Sequence, residues 1–199
     1  MRIVLLVEGK TETALKEVLK AFLDSRAEAE GKPKVGLRTK PMDTGLLKPE
    51  RVRDQVVMSL RDPEVVCVIG LVDVHPHFSS AREAKDRLQQ VVGQEPIFHP
   101  HAAQYEVEAW LLPYWEDICR RLKLARHPPG PHPEQVNHQT PPSQHLATLY
   151  RAASRFYDKP RDAKAILQGK DLTVAANQCP EFKAFLNTLL TCAGLTRLA

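Results

Sequence analysis

The sequence predicts an α/β protein: a parallel sheet flanked by helices, followed by a helical C-terminal region. Three observations carry this. Short apolar runs rich in β-branched residues recur through the first half of the chain. Stretches of helical periodicity alternate with them, and near-continuous apolar strands joined by helical crossovers mean a parallel sheet covered on both faces. Beyond a proline-rich stretch the strand-like runs stop and only short helical patterns remain.

Residues 2–7, RIVLLV, read as a buried strand. Glu8-Gly9-Lys10 breaks it, and Gly9 lets the backbone turn tightly. Thr11 can cap a helix carrying Ala14, Leu15, Val18, Leu19, Phe22 and Leu23, which Gly31 and Pro33 end. Residues 34–39 give a second, shorter strand. Pro49 suits the first turn of a helix with Val52, Val56, Val57 and Leu60 on its apolar face. Glu64 to Val72 is the most strand-like stretch, and Asp73 to Phe78 follows as a loop. Ser80 and Glu83 form a capping box before a helix that Gly93 closes. Residues 96–99 make a fourth strand, and Gln104 to Leu112 is helix-prone up to Pro113.

Residues 1–112 thus form the α/β domain, Rossmann-like in pattern. Residues 113–199 form a helical extension packed on it. Within the extension, 127–142 hold six prolines and the histidines His127, His132 and His138, a polar surface excursion. Ser143 can cap the next helix, which runs to Tyr157; three more span Pro160 to Gln168, Leu172 to Asn177 and Pro180 to Thr191.

Bulk properties narrow the function classes. The 199 residues are 43% hydrophobic and 26% charged, enough for a sizeable core. The longest apolar run, Val65 to Val72, is far short of the roughly 20 residues of a membrane span. The N-terminus lacks a signal-peptide pattern, so a cytoplasmic protein with no membrane partner is expected. Cys67, Cys119, Cys179 and Cys192 are widely spaced, so neither a disulfide framework nor a cysteine zinc site is implied, and Cys67 reads as a buried thiol. The net charge of +4 permits nucleic-acid binding without demanding it. Arg120, Arg121, Lys123 and Arg126 read as a solvated helix end or as a phosphate-contacting patch. There is no Ser-His-Asp order, P-loop or complete GxGxxG.

In parallel sheets ligands bind beyond the carboxyl ends of the strands. Glu8 and Asp73 each follow a strand, and so, on this reading, do His75, His99 and His101. The wording around Glu8 then gains weight. Val7-Glu8-Gly9-Lys10-Thr11-Glu12 resembles the opening motif of Toprim-type proteins, which include topoisomerases, primases and nucleases of the overcoming-lysogenization-defect kind. More narrowly, the chain resembles domain-of-unknown-function family 4276 through VEGKTE, LVD at 71–73, YEVEAWLL at 105–112, PPSQHL at 141–146, YDKP at 157–160 and CPEFKAFLNTL at 179–189.

The resemblance implies a Toprim-like fold and a metal-dependent, nuclease-like enzyme acting on nucleic acid, with a place and a protein partner in a bacterial defence system. It implies catalytic Glu8, Asp73 and Glu106, with Mg²⁺ or Mn²⁺ on Glu8 and Asp73. Glu106 and Glu108 are two apart, so on a helix they point about 200° apart and one of them faces the site. Glu106 is favoured, leaving Glu108 as a surface carboxylate or a partner for Lys159 or a C-terminal arginine. Lys10 and Lys159 are candidate phosphate contacts. The chain departs from the Toprim Asp-x-Asp pattern: it has Asp73-Val74-His75, so His75 becomes a candidate metal ligand that suits manganese, zinc or iron better than magnesium.

His75-Pro76-His77 and His99-Pro100-His101 are a duplicate. Four imidazoles on adjacent strand ends, with Asp73, would make a zinc or other transition-metal site; otherwise they are loop histidines held extended by proline. The remaining alternative is a non-catalytic subunit that binds nucleic acid or protein on the same scaffold.

Overall fold

The computed structural model describes residues 1–9, 14–42, 48–136 and 140–199, with the backbone alone at Pro49. Lys10, Thr11 and His138, singled out above, lie outside the described residues. Four strands pair in parallel in the order β2-β1-β3-β4: β1 (Arg2–Val7), β2 (Gly36–Pro41), β3 (Val65–Asp73) and β4 (Phe98–Ala103). The helices are α1 (Lys16–Ala29), α2 (Pro49–Leu60), α3 (Ala81–Val92), α4 (Trp115–Leu122), α5 (Pro142–Ala152), α6 (Lys159–Leu167), α7 (Leu172–Gln178) and α8 (Pro180–Cys192), with a 3₁₀ helix at Val107–Tyr114.

Strand alternation sorts the sheet into two buried faces. Val4, Leu6, Val68, Val72, Phe98 and Ala102 pack with Val52 and Val56 of α2 and Ala84 and Leu88 of α3. Ile3, Leu5, Val7, Ile69, Leu71 and Ala103 pack with Leu19 and Leu23 of α1. The same cluster continues into the C-terminal helices through Trp110, Phe182, Phe185 and Leu189. The second half of the chain therefore shares one core with the sheet. No helix among the described residues is long and apolar enough to cross a membrane.

Within β3, Gly70 has a packing reason. A Cβ there would stand 3.1 and 3.2 Å from the Phe98 ring. Gly70→Ala is expected to cost about 1–3 kcal/mol by overpacking, read as a lower urea midpoint at unchanged slope.

Several boundaries differ from expectation. β2 begins and ends two residues later than 34–39. β4 runs over 98–103, so His99 and His101 lie inside a strand and not after one. The His-Pro-His wording suggested a loop, but β4 is an edge strand, where a proline without an N–H is tolerated. Tyr105, with φ of 68°, turns the chain after β4, so the helical stretch starts at Val107 and not at Gln104. Ser80 caps α3 by accepting from the Glu83 N–H at 3.2 Å, and Gly93, at φ of 86°, follows its end.

The 127–142 excursion is anchored inward at Pro133 and Glu134, which are buried. Glu134 accepts from the Trp110 indole at 3.0 Å and from the N–H groups of Glu181 and Phe182 at 3.0 and 3.3 Å. It thus caps α8 from outside that helix. The cysteine expectation also fails: Cys67 is bonded to Cys192, 125 residues away, in a disulfide. A pairing between a mid-sheet strand and the last helix leaves no local spacing to read.

Candidate acidic site at the carboxyl edge of the sheet

β1 and β3 are hydrogen-bonded neighbours, with Val7 opposite Leu71. β3 extends two residues past that pair, so Glu8 and Asp73 meet at the same edge. The Glu8 carboxylate accepts the Asp73 backbone N–H at 3.2 Å. Asp73 in turn accepts the Val107 N–H at 2.9 Å, the first helical N–H of the 3₁₀ segment. Each carboxylate is thus positioned by backbone donors on a neighbouring element.

Glu106 precedes that segment in an extended conformation, φ −146° and ψ 155°. It accepts the Ser143 N–H at 2.9 Å and the Ser143 hydroxyl at 3.0 Å, capping α5 across 37 residues. Ser143 therefore does not cap α5, as the sequence suggested: Pro141 holds the cap position, and Glu106 supplies the acceptor. Because Glu106 is not helical, the 200° divergence from Glu108 does not apply. Both carboxylates turn toward Lys159, at 3.7 Å from Glu106 and 3.4 Å from Glu108. Glu108 is 1% exposed, and its expected alternative as a partner of Lys159 is the arrangement found.

Burial raises the Glu8 carboxyl above the ordinary range; the Asp73 N–H and the charge of His77 offset this in part. Burial likewise raises Glu108, opposed chiefly by the Lys159 charge. Lys159 is disfavoured as a cation by burial, yet Glu108, Glu106 and Asp73 together hold its ammonium above the ordinary lysine range. The edge thus carries the carboxylates of Glu8, Asp73, Glu106 and Glu108 and the ammonium of Lys159.

Of the predicted site residues, Glu8, Asp73, Glu106 and Lys159 come together at this edge. His75 follows on an exposed loop, its N–H donating to the Tyr105 carbonyl at 2.8 Å. His77, also exposed, is the histidine whose charge acts on Glu8. The two His-Pro-His segments do not converge. His99 pairs with Ile69, four positions before Asp73 on β3, which is about 13 Å back along the strand. His101 is buried against Phe185 and bonded to Thr188 at 2.9 Å, and burial lowers its pKa to about 3. It is a neutral core histidine at physiological pH.

A family model described as Domain of unknown function (DUF4276) matches residues 7–190. The chain belongs to the DUF4276 family. No curated protein matches it. Among solved structures, the C-terminal region of the Burkholderia pseudomallei OLD protein is similar at 15% identity and a TM-score of 0.49, over 96% of each chain.

Several working contacts of this DUF4276 chain escaped sequence reasoning. Glu106 as a cap for α5 and Glu134 as a cap for α8 span 37 and 47 residues, and no local pattern announces them. The signals that did exist were two glutamates amid apolar residues in YEVEAWLL and the lysine of YDKP, charges too costly to bury unless paired.

Proposed function

We propose that this protein is a divalent-metal-dependent phosphodiester-cleaving enzyme acting on nucleic acid, with Glu8 and Asp73 as its metal-holding carboxylates. The observation that carries the reading is the meeting of Glu8 and Asp73 across β1 and β3, on the edge of a parallel sheet where ligands bind. The donor set fits a hard cation, since magnesium takes one or two protein carboxylates and keeps several waters. The raised Glu8 carboxyl fits as well, because a buried carboxylate disfavoured by desolvation gains from a nearby cation.

When bound, magnesium or manganese supplies neutralisation of phosphoryl charge and a water of lowered pKa. The chain's own groups divide the rest. Glu8, its carboxyl raised above the ordinary range by burial, can exchange a proton with a water or a leaving oxygen. Asp73 is held fixed by Val107. Lys159 supplies positive charge beside Asp73 toward a phosphate. A defence-system partner rests on the motif resemblance alone.

The experiment is incubation of the full chain with single- and double-stranded DNA and RNA, with and without Mg²⁺ or Mn²⁺. Metal-dependent cleavage is expected, rising with pH as Glu8 loses its proton. No cleavage with any metal or substrate rejects the enzyme reading.

A second reading has its own support. Lys159 already neutralises part of the acidic edge, and His75 stands where a second Asp belongs. On that reading the scaffold binds nucleic acid without cutting it. Affinity that falls steeply with salt, with no cleavage, would distinguish it.

A further inference from the structure

Away from the acidic edge, a second group of metal-capable side chains lies on the sheet face under α8. The Cys67 and Cys192 sulfurs and a ring nitrogen of His99 lie within 4.8 Å of one another. Among the described residues this is the one set of three or more Cys, His, Asp or Glu donors drawn so close.

The backbone explains the convergence. His99 is opposite Ile69 on the neighbouring strand, so Cys67, two residues before Ile69, is its diagonal neighbour on the same face. Thr188 of α8 bonds to His101. One helical turn further, at about 1.5 Å per residue, is Cys192; two residues back along β4, at about 3.3 Å per residue, is His99. The two steps are about 6 Å and 6.6 Å, so a helix running against the strand carries Cys192 over His99.

We propose that in the dithiol form Cys67, Cys192 and His99 bind a thiophilic divalent cation, zinc being the natural one. Two thiolates and an imidazole are a soft, nitrogen-and-sulfur set that selects zinc over magnesium. Cys67 is fully buried, while His99 and Cys192 are half-buried, so solvent can reach the site and supply a fourth ligand.

The disulfide is the oxidised counterpart. Two small thiols reduce it, giving two cysteine thiols and one small-molecule disulfide, the direction favoured in a reducing compartment. Zinc then displaces the two thiol protons, so the bound site is two thiolates, one neutral imidazole and Zn²⁺, with two protons released. Either cross-link ties the end of α8 to the β3–β4 face.

The test uses the untagged full chain, reduced with a phosphine under native conditions and titrated with Co²⁺ and then Zn²⁺. The expected result is one equivalent of cobalt with a thiolate-to-cobalt charge-transfer band, bleached by zinc. The band is lost in Cys192→Ser and in Cys67→Ser; Cys192→Ser, at the half-buried position, is the safer variant for folding. His99→Ala weakens binding by at least about 10- to 100-fold. Cys119→Ser and Asp73→Asn leave the band unchanged, which separates this site from the acidic edge. No band in the reduced protein, a band that survives Cys192→Ser in folded protein, or a disulfide that resists native reduction would each overturn the proposal.

Discussion

Asp73→Asn is expected to lower metal-dependent cleavage by more than about 100-fold, and Glu8→Gln by a similar factor, the loss of a metal-holding carboxylate exceeding that of its supporting groups. Both changes are chosen to spare the fold. An Asn at 73 keeps a carbonyl oxygen for the Val107 N–H, and a Gln at 8 keeps one for the Asp73 N–H. What disappears is the negative charge. The variants should therefore melt within a few degrees of wild type while losing activity at saturating substrate. Raising Mg²⁺ should recover part of the loss in Glu8→Gln, if that residue mainly strengthens cation binding. A parallel fall in melting temperature and activity would mean that the two carboxylates are structural acceptors and nothing more.

The same geometry explains what could be read from the chain beforehand. β1, β3 and the alternation of helices were legible because burial on both faces writes itself into apolar runs such as RIVLLV and VVCVIGLV. The junctions at Glu8 and Asp73 were legible because a carboxylate ends such a run abruptly. β4 was shifted because Pro100 and two histidines look like loop, and only its place at the sheet edge makes them tolerable. The long-range contacts were not legible at all. Glu106 on Ser143, Glu134 on α8 and Cys67 on Cys192 join residues 37 to 125 positions apart. Each depends on how the C-terminal helices lie on the sheet, and periodicity reports which face of a helix is buried without saying against what. The four-imidazole reading failed for a related reason. One His-Pro-His segment follows β3 in a loop and the other lies inside the adjacent β4, so register, not adjacency, decides which residues meet.

The second large effect concerns Lys159. Lys159→Met should destabilise the fold at about pH 8 by roughly 1–3 kcal/mol, and by much less at about pH 5. The figure stays below that for a fully buried pair because the Lys159 side chain is 47% exposed and partly screened by water. The sign follows from Glu108. Burial raises its folded pKa above the unfolded value, so between the two the folded state holds a proton that the unfolded state has released. That term favours folding at low pH and is lost as pH rises through the folded pKa. In wild type the Lys159 charge limits the raise; without it the folded pKa climbs further and the loss deepens. Chemical denaturation at the two pH values measures this directly. Glu108→Gln in the Lys159→Met background removes the titrating group and should flatten the pH dependence, so the double-mutant cycle isolates the pair. If Lys159→Met were equally stable at both pH values, Glu108 would not be the charge that Lys159 holds in place. The lysine's electrostatic role at the edge would then lie with Glu106 and Asp73.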